Sequence, residues 1–302
     1  MNLRAAPTHK ILNRLPGWFK QDIPDENVLR IRRLISEFGV HTVCQEAKCP
    51  NISRCFKSNK ATFIILGDIC TRNCRFCAVA KAPEAQLGFD RDEPQRISEL
   101  VKKIGLNYVV LTSVTRDDLS DGGASVFGRT IALIRRLDKK INIEVLIPDF
   151  RAKTRSLRCV IEAHPDVVAH NLETVARLYS RVRPMSDYRL SLRVLAKLKE
   201  LNSEIITKSS LILGLGETKK EVKAVLKDIK GSGCDIVVMG QYLAPSPEHF
   251  PVERFLGPEE FEEYKNIAVT LGFRGVASGP LVRSSYQAED MFKKITGLNN
   301  GK

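Results

Sequence analysis

The sequence reads Ala61-Thr-Phe-Ile-Ile-Leu-Gly67-Asp-Ile-Cys70-Thr-Arg-Asn-Cys74-Arg-Phe-Cys77 where a short apolar run meets three closely spaced cysteines. Residues 61–67 are rich in apolar and β-branched side chains and end in glycine, a pattern typical of a buried strand. Similar runs occur at residues 107–113, 142–148, 167–173, 206–216 and 235–242. The sequence therefore predicts six buried strands, the first of which leads directly into the cysteines.

Helix-like segments separate the predicted strands. Apolar residues recur at helical spacing in residues 96–104, 125–137, 190–201 and 219–229. This alternation predicts βαβ units and an α/β fold with a parallel sheet, either doubly wound or closed toward a barrel. In both architectures functional residues lie at the C-terminal ends of the strands, where this sequence places cysteines and polar residues.

The composition of the 302-residue chain excludes several classes of protein. Its apolar residues, 43% of the total, occur in short runs, none of which approaches the roughly 18 consecutive apolar residues of a membrane span. Residues 1–20 lack the apolar core of a secretory signal, and they have too few arginines and no serine for a mitochondrial transit peptide. We therefore expect a cytoplasmic protein that binds no membrane.

The formal net charge of +13 indicates an acidic partner, and charge alone allows a nucleic acid, an anionic membrane surface or an acidic protein. The basic residues are scattered along helix-like segments such as residues 219–230, without the interleaved aromatic residues on which bases stack. We expect an acidic protein partner and no nucleic acid.

The triplet Cys70-x3-Cys74-x2-Cys77 predicts an iron-sulfur site. Cysteines in an intracellular chain favour metal or catalytic roles, because the cytosol keeps thiols reduced. Three thiolates can hold a 4Fe-4S cluster and leave one iron open to another molecule. Structural zinc is the alternative, but it takes four protein ligands, typically in paired knuckles, and only one such pair fits here.

A second triplet, Cys44-x4-Cys49-x5-Cys55, lies within thirty residues of the first. Its spacing is not that of a zinc knuckle, and alone it would indicate a weak metal site or chance. Its closeness to the first triplet favours a second cluster. Cys159 and Cys234 stand alone in the sequence and are expected to be small core residues.

The two triplets, with Phe76 before the last cysteine, resemble those of lipoyl synthases, a family of the radical S-adenosylmethionine (SAM) superfamily. Further matching motifs are Pro16-Gly-Trp-Phe-Lys20, Thr112-Ser-Val-Thr-Arg-Asp-Asp118 with Asp121-Gly-Gly123, His170-Asn-Leu-Glu-Thr174, Gly214-Leu-Gly-Glu-Thr218 and Arg283-Ser-Ser-Tyr286. The family usually has leucine where Phe19 stands, a departure that affects no chemistry. The resemblance covers nearly the whole chain.

The resemblance implies a partial (β/α)6 TIM-type barrel, in agreement with the six predicted strands. Residues 1–60, which contain no convincing strand, would form an N-terminal extension with the auxiliary-cluster cysteines. Residues 61–280 would form the barrel, and residues 281–302 a C-terminal tail that closes on the auxiliary cluster.

The resemblance also implies the cofactors, two 4Fe-4S clusters and SAM, and the residues that bind them. The radical-generating cluster would be held by Cys70, Cys74 and Cys77. The auxiliary cluster would be held by Cys44, Cys49, Cys55 and Ser285, with Ser284 as the alternative serine. The residues expected to contact SAM are Phe76, Thr112, Asn171, Glu173 and Arg183.

Residues 170–173 carry one expectation from strand geometry. Asn171 and Glu173 occupy alternate positions of a predicted strand end and should face the barrel mouth together. His170 would then point the other way, so we expect a packed histidine.

In the family, sulfur is inserted at C6 and C8 of an octanoyl chain on a lysine of a carrier. The implied partners are a carrier such as the glycine cleavage H protein or a 2-oxoacid dehydrogenase E2 subunit, and ferredoxin or flavodoxin as electron donor. One alternative is another sulfur-inserting or methylthio-transferring radical enzyme, against which residues 283–286 argue. The other is a zinc-bound nucleic-acid module, which fits the charge but not the grouping of the cysteines.

Two weaker signals have ordinary explanations. Gly214-Leu-Gly216 suggests nucleotide binding, but Lys219 occupies the place of the third glycine of a dinucleotide motif. Asp117, Asp118 and Asp121 could hold magnesium, although acidic residues before a helix more often cap it.

We predict that the anaerobically purified protein is brown and contains iron and acid-labile sulfide, because both triplets are expected to hold iron-sulfur clusters. Absorption spectroscopy and metal analysis test this. A colourless protein that contains zinc would support the nucleic-acid module instead.

Overall fold

One sheet of eight strands runs through the computed structural model, which describes residues 15–19, 22–82, 88 and 90–298. The strands of the described chain are β1 (His41–Thr42), β2 (Thr62–Ile65), β3 (Ile69–Cys70), β4 (Ala80–Lys81), β5 (Tyr108–Ser113), β6 (Asn142–Leu146), β7 (Val167–Ala169), β8 (Ile206–Leu213), β9 (Ile236–Gln241) and β10 (Gly275–Gly279). Their order in the sheet is β1-β2-β5-β6-β7-β8-β9-β10, while β3 and β4 form a separate parallel pair.

Helices precede, connect and follow the strands. The described α-helices are α1 (Glu26–Glu37), α2 (Val43–Glu46), α3 (Ile52–Lys57), α4 (Glu93–Ile104), α5 (Ala124–Leu137), α6 (Thr154–Glu162), α7 (Tyr179–Val182), α8 (Tyr188–Leu201), α9 (Lys219–Gly231), α10 (Pro258–Thr270) and α11 (Ala288–Thr296). Short 3-10 helices span Phe150–Ala152 and Ala176–Leu178. Within the described ranges, none of the helices combines the length and the apolar character of a membrane span.

The parallel strands form the partial (β/α)6 TIM-type barrel that was expected. All six predicted strands are present, as β2, β5, β6, β7, β8 and β9, although several end earlier than predicted. β10 adds a further parallel strand beside β9, which the sequence analysis missed because its two glycines and small side chains give little strand signal. The expectation of no strand in residues 1–60 was also wrong, because His41 and Thr42 pair antiparallel with β2.

Alternate side chains of each barrel strand point to opposite faces of the sheet, and the side chains on both faces are packed against other elements. Val109 and Leu111 of β5 belong to the core formed with α4 and α5. Tyr108 and Val110 belong to a separate cluster with α11, in which the Tyr108 and Phe292 rings lie 5.8 Å apart between centroids. The last helix therefore packs against the inner face of the barrel and anchors the residues 283–286 that precede it.

The N-terminal extension shares a core with the barrel. Val28 and Ile31 of α1 and Phe56 of α3 are buried in the same cluster as Phe63 of β2. Asp25 caps α1 by accepting a hydrogen bond from the Val28 amide at 3.0 Å. The division of the chain at residues 60 and 280 stays a prediction. Residues 1–14, 20–21, 83–87, 89 and 299–302 lie outside the described residues.

The loop after β8 uses its amide groups internally. The Glu217 carboxylate accepts hydrogen bonds from the amides of Gly214, at 2.6 Å, and Leu215, at 2.9 Å. A phosphate-binding loop offers such amides to its ligand. The structure therefore agrees with the conclusion that this loop is not a dinucleotide site.

The acidic residues after β5 also have protein partners. Asp121 accepts hydrogen bonds from the amides of Gly123 and Ser125, both at 2.9 Å, at the start of α5. Asp117 and Asp118 form ion pairs with arginines. Capping and hydrogen bonding therefore account for these residues without a magnesium ion.

Gly240 of β9 lies where the chain that follows β10 approaches the sheet. A Cβ at this position would come within 1.9 Å of the Val282 carbonyl oxygen. We predict that Gly240→Ala lowers the free energy of unfolding by about 1–3 kcal/mol, because the backbone before residues 283–286 must move. The control is Gly231→Ala at the end of α9, where nothing lies within 4 Å of the new Cβ. Urea unfolding followed by circular dichroism tests this, and equal stabilities of the two variants would contradict it.

Candidate active site

One cavity of about 520 Å³ opens at the C-terminal ends of the parallel strands. Both cysteine triplets line it, together with the other residues that the sequence analysis assigned to the site. The lining members of that set are Cys44, Cys49, Cys55, Cys70, Cys74, Phe76, Cys77, Thr112, Asn171, Glu173, Arg183, Ser284 and Ser285. Residues from the first quarter, the middle and the end of the chain therefore meet in one place.

The first triplet begins with Cys70, the last residue of β3, and continues in the loop before β4. The Cys70 sulfur accepts hydrogen bonds from the amides of Arg72, at 3.4 Å, and Thr115, at 3.3 Å. The Cys77 amide donates to the Cys74 carbonyl at 3.3 Å, which closes a turn around the site. Burial raises the pKa of the Cys77 thiol to about 11 and also raises the pKa of Cys74. A cationic metal centre beside these thiols would favour their thiolate form.

The second triplet spans α2 and α3. Cys44 is 7% exposed, and burial, followed by the neighbouring Cys49, raises its pKa to about 12. Burial and then Cys49 raise the pKa of Cys55 to about 11. Because thiolates this close repel one another in a buried site, the triplet suits ligands of a positively charged metal centre.

The distances between the cysteine sulfurs show whether a triplet is arranged around a single metal ion. Sulfurs around one zinc ion, at about 2.3 Å from it, would lie about 3.8 Å apart. Among the described residues no three cysteine sulfurs lie within 4.8 Å of one another, and the one group of potential ligands that meets this limit is His41, Glu46 and Asp68. Among the described residues, the sulfurs of neither triplet are therefore gathered as they would be around one zinc ion. Cys234 is buried in the core and Cys159 packs at its edge, away from the cavity.

Asn171 and Glu173 contact each other on the cavity wall, where Asn171 Nδ2 donates to Glu173 Oε1 at 2.9 Å. The prediction that both are strand residues was wrong, because β7 ends at Ala169 and Glu173 has a left-handed backbone with φ of 66°. Glu173 is joined to Leu211 of β8 by a single parallel bridge, so an irregular segment after β7, and not a continuous strand, brings the two side chains together. Burial raises the pKa of the Glu173 carboxyl.

Arg183 and Thr112 are held by backbone carbonyl groups. Arg183 Nη1 donates to the carbonyls of Asn171 and Leu172, both at 3.0 Å. The Thr112 hydroxyl donates to the Leu146 carbonyl at 2.9 Å. Both side chains therefore have fixed positions on the cavity wall.

His170 is a packed histidine, as expected. It is 2% exposed, and its Nδ1 lies 3.0 Å from the Ile147 carbonyl oxygen. Burial lowers its pKa to about 4, so the ring is neutral at physiological pH. The residue nevertheless lines the cavity, as does Phe76, which packs against the core from the cysteine loop.

Residues 283–286 lie between β10 and α11 and reach the N-terminal extension. The Tyr286 hydroxyl accepts a hydrogen bond from Arg54 of α3 at 3.1 Å. The Leu281 carbonyl accepts one from Asn51 at 2.6 Å. The two ends of the described chain are therefore joined beside the second triplet.

The two serines of this segment face different parts of the cavity. Ser285 Oγ accepts a hydrogen bond from Thr62 Oγ1 at 2.8 Å, and the Thr62 backbone lies near enough to the Cys44 thiol to oppose the effect of burial on its pKa. Ser284 Oγ donates to Asn171 Oδ1 at 3.2 Å. Ser285 is thus connected to the second triplet, whereas Ser284 is connected to the residues expected to bind SAM.

Comparison with known proteins gives the family. Residues 64–229 match the radical SAM superfamily. The chain is 50% identical over 281 residues to lipoyl synthase of Caldicellulosiruptor saccharolyticus, which covers 93% of this chain and 98% of that one. It is 51% identical over 276 residues to lipoyl synthase of Caldanaerobacter subterraneus, with 91% and 96% covered. The chain belongs to the lipoyl synthase family. It is a radical SAM enzyme that inserts sulfur, and it uses a 4Fe-4S cluster and SAM.

Solved structures share the fold of this chain. The FeFe-hydrogenase maturase HydG from Carboxydothermus hydrogenoformans matches with a TM-score of 0.54 at 13% identity, over 91% of this chain and 72% of that one. Streptococcus suis SuiB bound to S-adenosylmethionine matches with a TM-score of 0.52 at 10% identity, over 79% and 51%. At such identities the likeness concerns the fold alone.

The loop between β9 and α10 supports the first triplet and was missed in the sequence. His249 Nε2 lies 3.2 Å from the Cys77 carbonyl oxygen, and the Phe250 amide donates to the Arg75 carbonyl at 2.9 Å. The signal was the proline-rich run Leu243-Ala-Pro-Ser-Pro247 directly after a predicted strand. A loop at that end of a strand belongs to the functional face of a barrel.

We predict that Ser285→Ala loses lipoyl formation by about 10- to 100-fold but still produces 5'-deoxyadenosine, because only the second triplet loses a partner. Ser284→Ala is the matched control and should keep most lipoyl formation. Anaerobic turnover of an octanoyl-lysyl peptide, read by mass spectrometry, tests both variants. Full activity of Ser285→Ala with an inactive Ser284→Ala would transfer the role to Ser284, and full activity of both would exclude serine ligation.

Proposed function

We propose that this enzyme inserts two sulfur atoms at C6 and C8 of an octanoyl chain carried on a lysine of a carrier domain, giving the lipoyl cofactor. The observation that carries the proposal is the single cavity lined by two cysteine triplets and by residues 283–286. A radical SAM reaction needs one triplet. A second triplet on the same cavity supports a second centre within reach of the same substrate.

The chemistry requires a radical because unactivated C–H bonds resist acid-base catalysis. Cys70, Cys74 and Cys77 would hold a 4Fe-4S cluster with one iron open to the amino and carboxylate groups of SAM. When bound, this cluster supplies the electron that cleaves SAM to methionine and a 5'-deoxyadenosyl radical. The task of the protein is then to bind, orient and shield the reactants.

The polar and the apolar residues of the cavity wall would have different roles in this task. The Asn171–Glu173 pair would hydrogen-bond the ribose and methionine portions of SAM, and Arg183 would hold the Asn171 backbone in place. Val110 and Leu146 present apolar surface to the cavity. Such surface suits an octanoyl chain and excludes water from the reacting carbons.

We further propose that the sulfur comes from an auxiliary 4Fe-4S cluster held by Cys44, Cys49, Cys55 and Ser285. The link from Ser285 through Thr62 to Cys44 supports this serine over Ser284. A hard serine oxygen on a soft iron-sulfur centre would be the most labile of the four ligands. A labile ligand suits a cluster that is dismantled as it donates sulfur.

The proposed partners are an octanoylated carrier, such as the glycine cleavage H protein or a 2-oxoacid dehydrogenase E2 subunit, and ferredoxin or flavodoxin as electron donor. The net charge of +13 supports an acidic carrier, and Lys48 and Lys81 line the cavity that its lysyl arm would enter. Nucleic acid and membrane are not expected partners. A cytoplasmic location is part of the proposal, because thiolate ligands need a reducing compartment.

We predict that Cys49→Ala and Cys74→Ala separate the two functions. Cys74→Ala should abolish 5'-deoxyadenosine, because the radical-generating cluster is lost. Cys49→Ala should still produce 5'-deoxyadenosine but no lipoyl product, because the sulfur donor is lost. Anaerobic assays with octanoyl-lysyl peptide, SAM and dithionite measure both products. Lipoyl product from a Cys49→Ala protein shown to lack the auxiliary cluster would refute the donor role, and SAM cleavage by Cys74→Ala would refute the radical assignment.

We predict that the double variant Lys48→Glu, Lys81→Glu binds an octanoylated H protein at least about tenfold more weakly than wild type at low salt, because two positive charges that line the cavity are reversed. The matched control is Lys223→Glu, Lys227→Glu on the exposed face of α9. Titration calorimetry at two ionic strengths tests this, and wild-type binding should weaken as salt rises. Equal binding by both double variants, or binding independent of salt, would count against the acidic carrier.

A further inference from the structure

Arg72 lies between the first two cysteines of the radical-generating triplet, and its side chain points away from them into a buried ion-pair network. The residue is 6% exposed. Its guanidinium donates to Asp117 through Nε at 2.7 Å and Nη2 at 3.0 Å. It also donates to Asp149 through Nη2 at 2.8 Å and through Nη1. One arginine therefore joins the cysteine loop to the loops after β5 and β6 by two bidentate contacts.

Thr71 adds a second set of contacts between the cysteine loop and the loop after β5. Its amide and its hydroxyl both donate to the Thr115 carbonyl, at 3.0 and 2.9 Å. The Asp117 amide donates to the Thr71 hydroxyl at 3.0 Å. Hydrogen bonds of Thr71 and the ion pair of Arg72 therefore both connect the cysteine loop to the loop after β5.

These contacts fix the two amide groups that donate to the Cys70 sulfur. One is the amide of Arg72 itself and the other is that of Thr115. Both amides belong to the segments that Arg72 and Thr71 join, so their direction toward the sulfur depends on that joint. The triplet thus has one sulfur in a defined hydrogen-bonding environment.

The turn that follows Asp149 has an energetically unfavourable backbone conformation. Phe150, Arg151 and Ala152 all have positive φ angles, of 45°, 53° and 51°. Each such non-glycine residue costs on the order of 1 kcal/mol or more. The Asp149 carboxylate, 1% exposed, accepts the Arg151 amide at 2.9 Å and so holds the turn that directs it at Arg72. A strained turn kept beside a reaction site indicates a functional constraint.

We propose that Arg72 is a positioning residue that sets the reduction potential of the cluster held by Cys70, Cys74 and Cys77. By fixing the loop, Arg72 keeps two N–H donors on the Cys70 sulfur. Hydrogen bonds to cluster sulfurs stabilise the more negative reduced state and raise the reduction potential, which eases reduction of the cluster by its electron donor, the step that must precede SAM cleavage. The inference rests on the radical SAM activity and is independent of the proposed sulfur donor.

The test is Arg72→Lys, which keeps the positive charge but cannot form the two bidentate contacts. The control is Arg135→Lys, since Arg135 also joins an aspartate, Asp166, to carbonyl groups but lies away from the cavity. Both variants are prepared as the full-length holoenzyme. The midpoint potential is measured for the cluster whose paramagnetic resonance signal changes when SAM is added, which identifies the cluster with the open iron.

We expect the midpoint potential of Arg72→Lys to move to a more negative value and that of Arg135→Lys to stay unchanged. SAM cleavage by Arg72→Lys should fall several-fold with reduced flavodoxin and return to within about twofold of wild type with titanium(III) citrate, a stronger reductant. A fully loaded Arg72→Lys protein with the wild-type potential would overturn the proposal, as would a loss of cleavage that no reductant restores.

If the Arg72→Lys protein does not bind the radical-generating cluster, the Thr71→Val variant tests the proposal instead. This substitution keeps Arg72 and removes only the hydroxyl that connects Thr115 and Asp117. A smaller negative shift of the same potential is expected, and an unchanged potential in Thr71→Val would overturn the proposal. Because neither readout involves lipoyl formation, failure of the sulfur-donor hypothesis leaves this test intact.

Discussion

The gathering of six thiols around one buried cavity is the constraint on which the rest of the structure depends. Burial and mutual proximity raise the pKa values of Cys44, Cys55 and Cys77, so the thiols in isolation resist becoming anions. Iron-sulfur clusters reverse this preference, because a coordinating thiol is deprotonated by the metal it binds. The site therefore suits metal centres, while the fold must hold the thiols in position by other means.

The barrel topology supplies that support. Parallel strands end at one edge of the sheet, so the loops after β5, β6, β7 and β9 converge on the first triplet. The second triplet lies on α2, on α3 and on the turn between them, and both helices share a core with β2. The C-terminal part of the chain also lines the cavity. There α11 packs inside the barrel, and residues 283–286, which precede it, contact the N-terminal extension. Each triplet is thus held by elements distant in sequence.

The sequence predicted much of this arrangement, because its strongest signals are local. Apolar runs identified six strands, and cysteine spacing identified both triplets. Features set by distant contacts were not predictable. Glu173 takes a left-handed conformation because its amide and carbonyl pair with Ser210 and Ile212 of β8. The ion-pair network of Arg72 depends on Asp149, 77 residues away in sequence, and β10, whose own residues give little strand signal, pairs with β9.

The central claim is that two clusters on one cavity serve one reaction, with the second consumed as the source of sulfur. Its most direct test is a single turnover of protein whose clusters have been rebuilt with isotopically heavy sulfide, in unlabelled buffer, on an octanoyl-lysyl peptide. The account predicts heavy sulfur at both positions of the lipoyl product and loss of the auxiliary cluster in proportion to product. A product that carries only light sulfur, with both clusters intact, would contradict it.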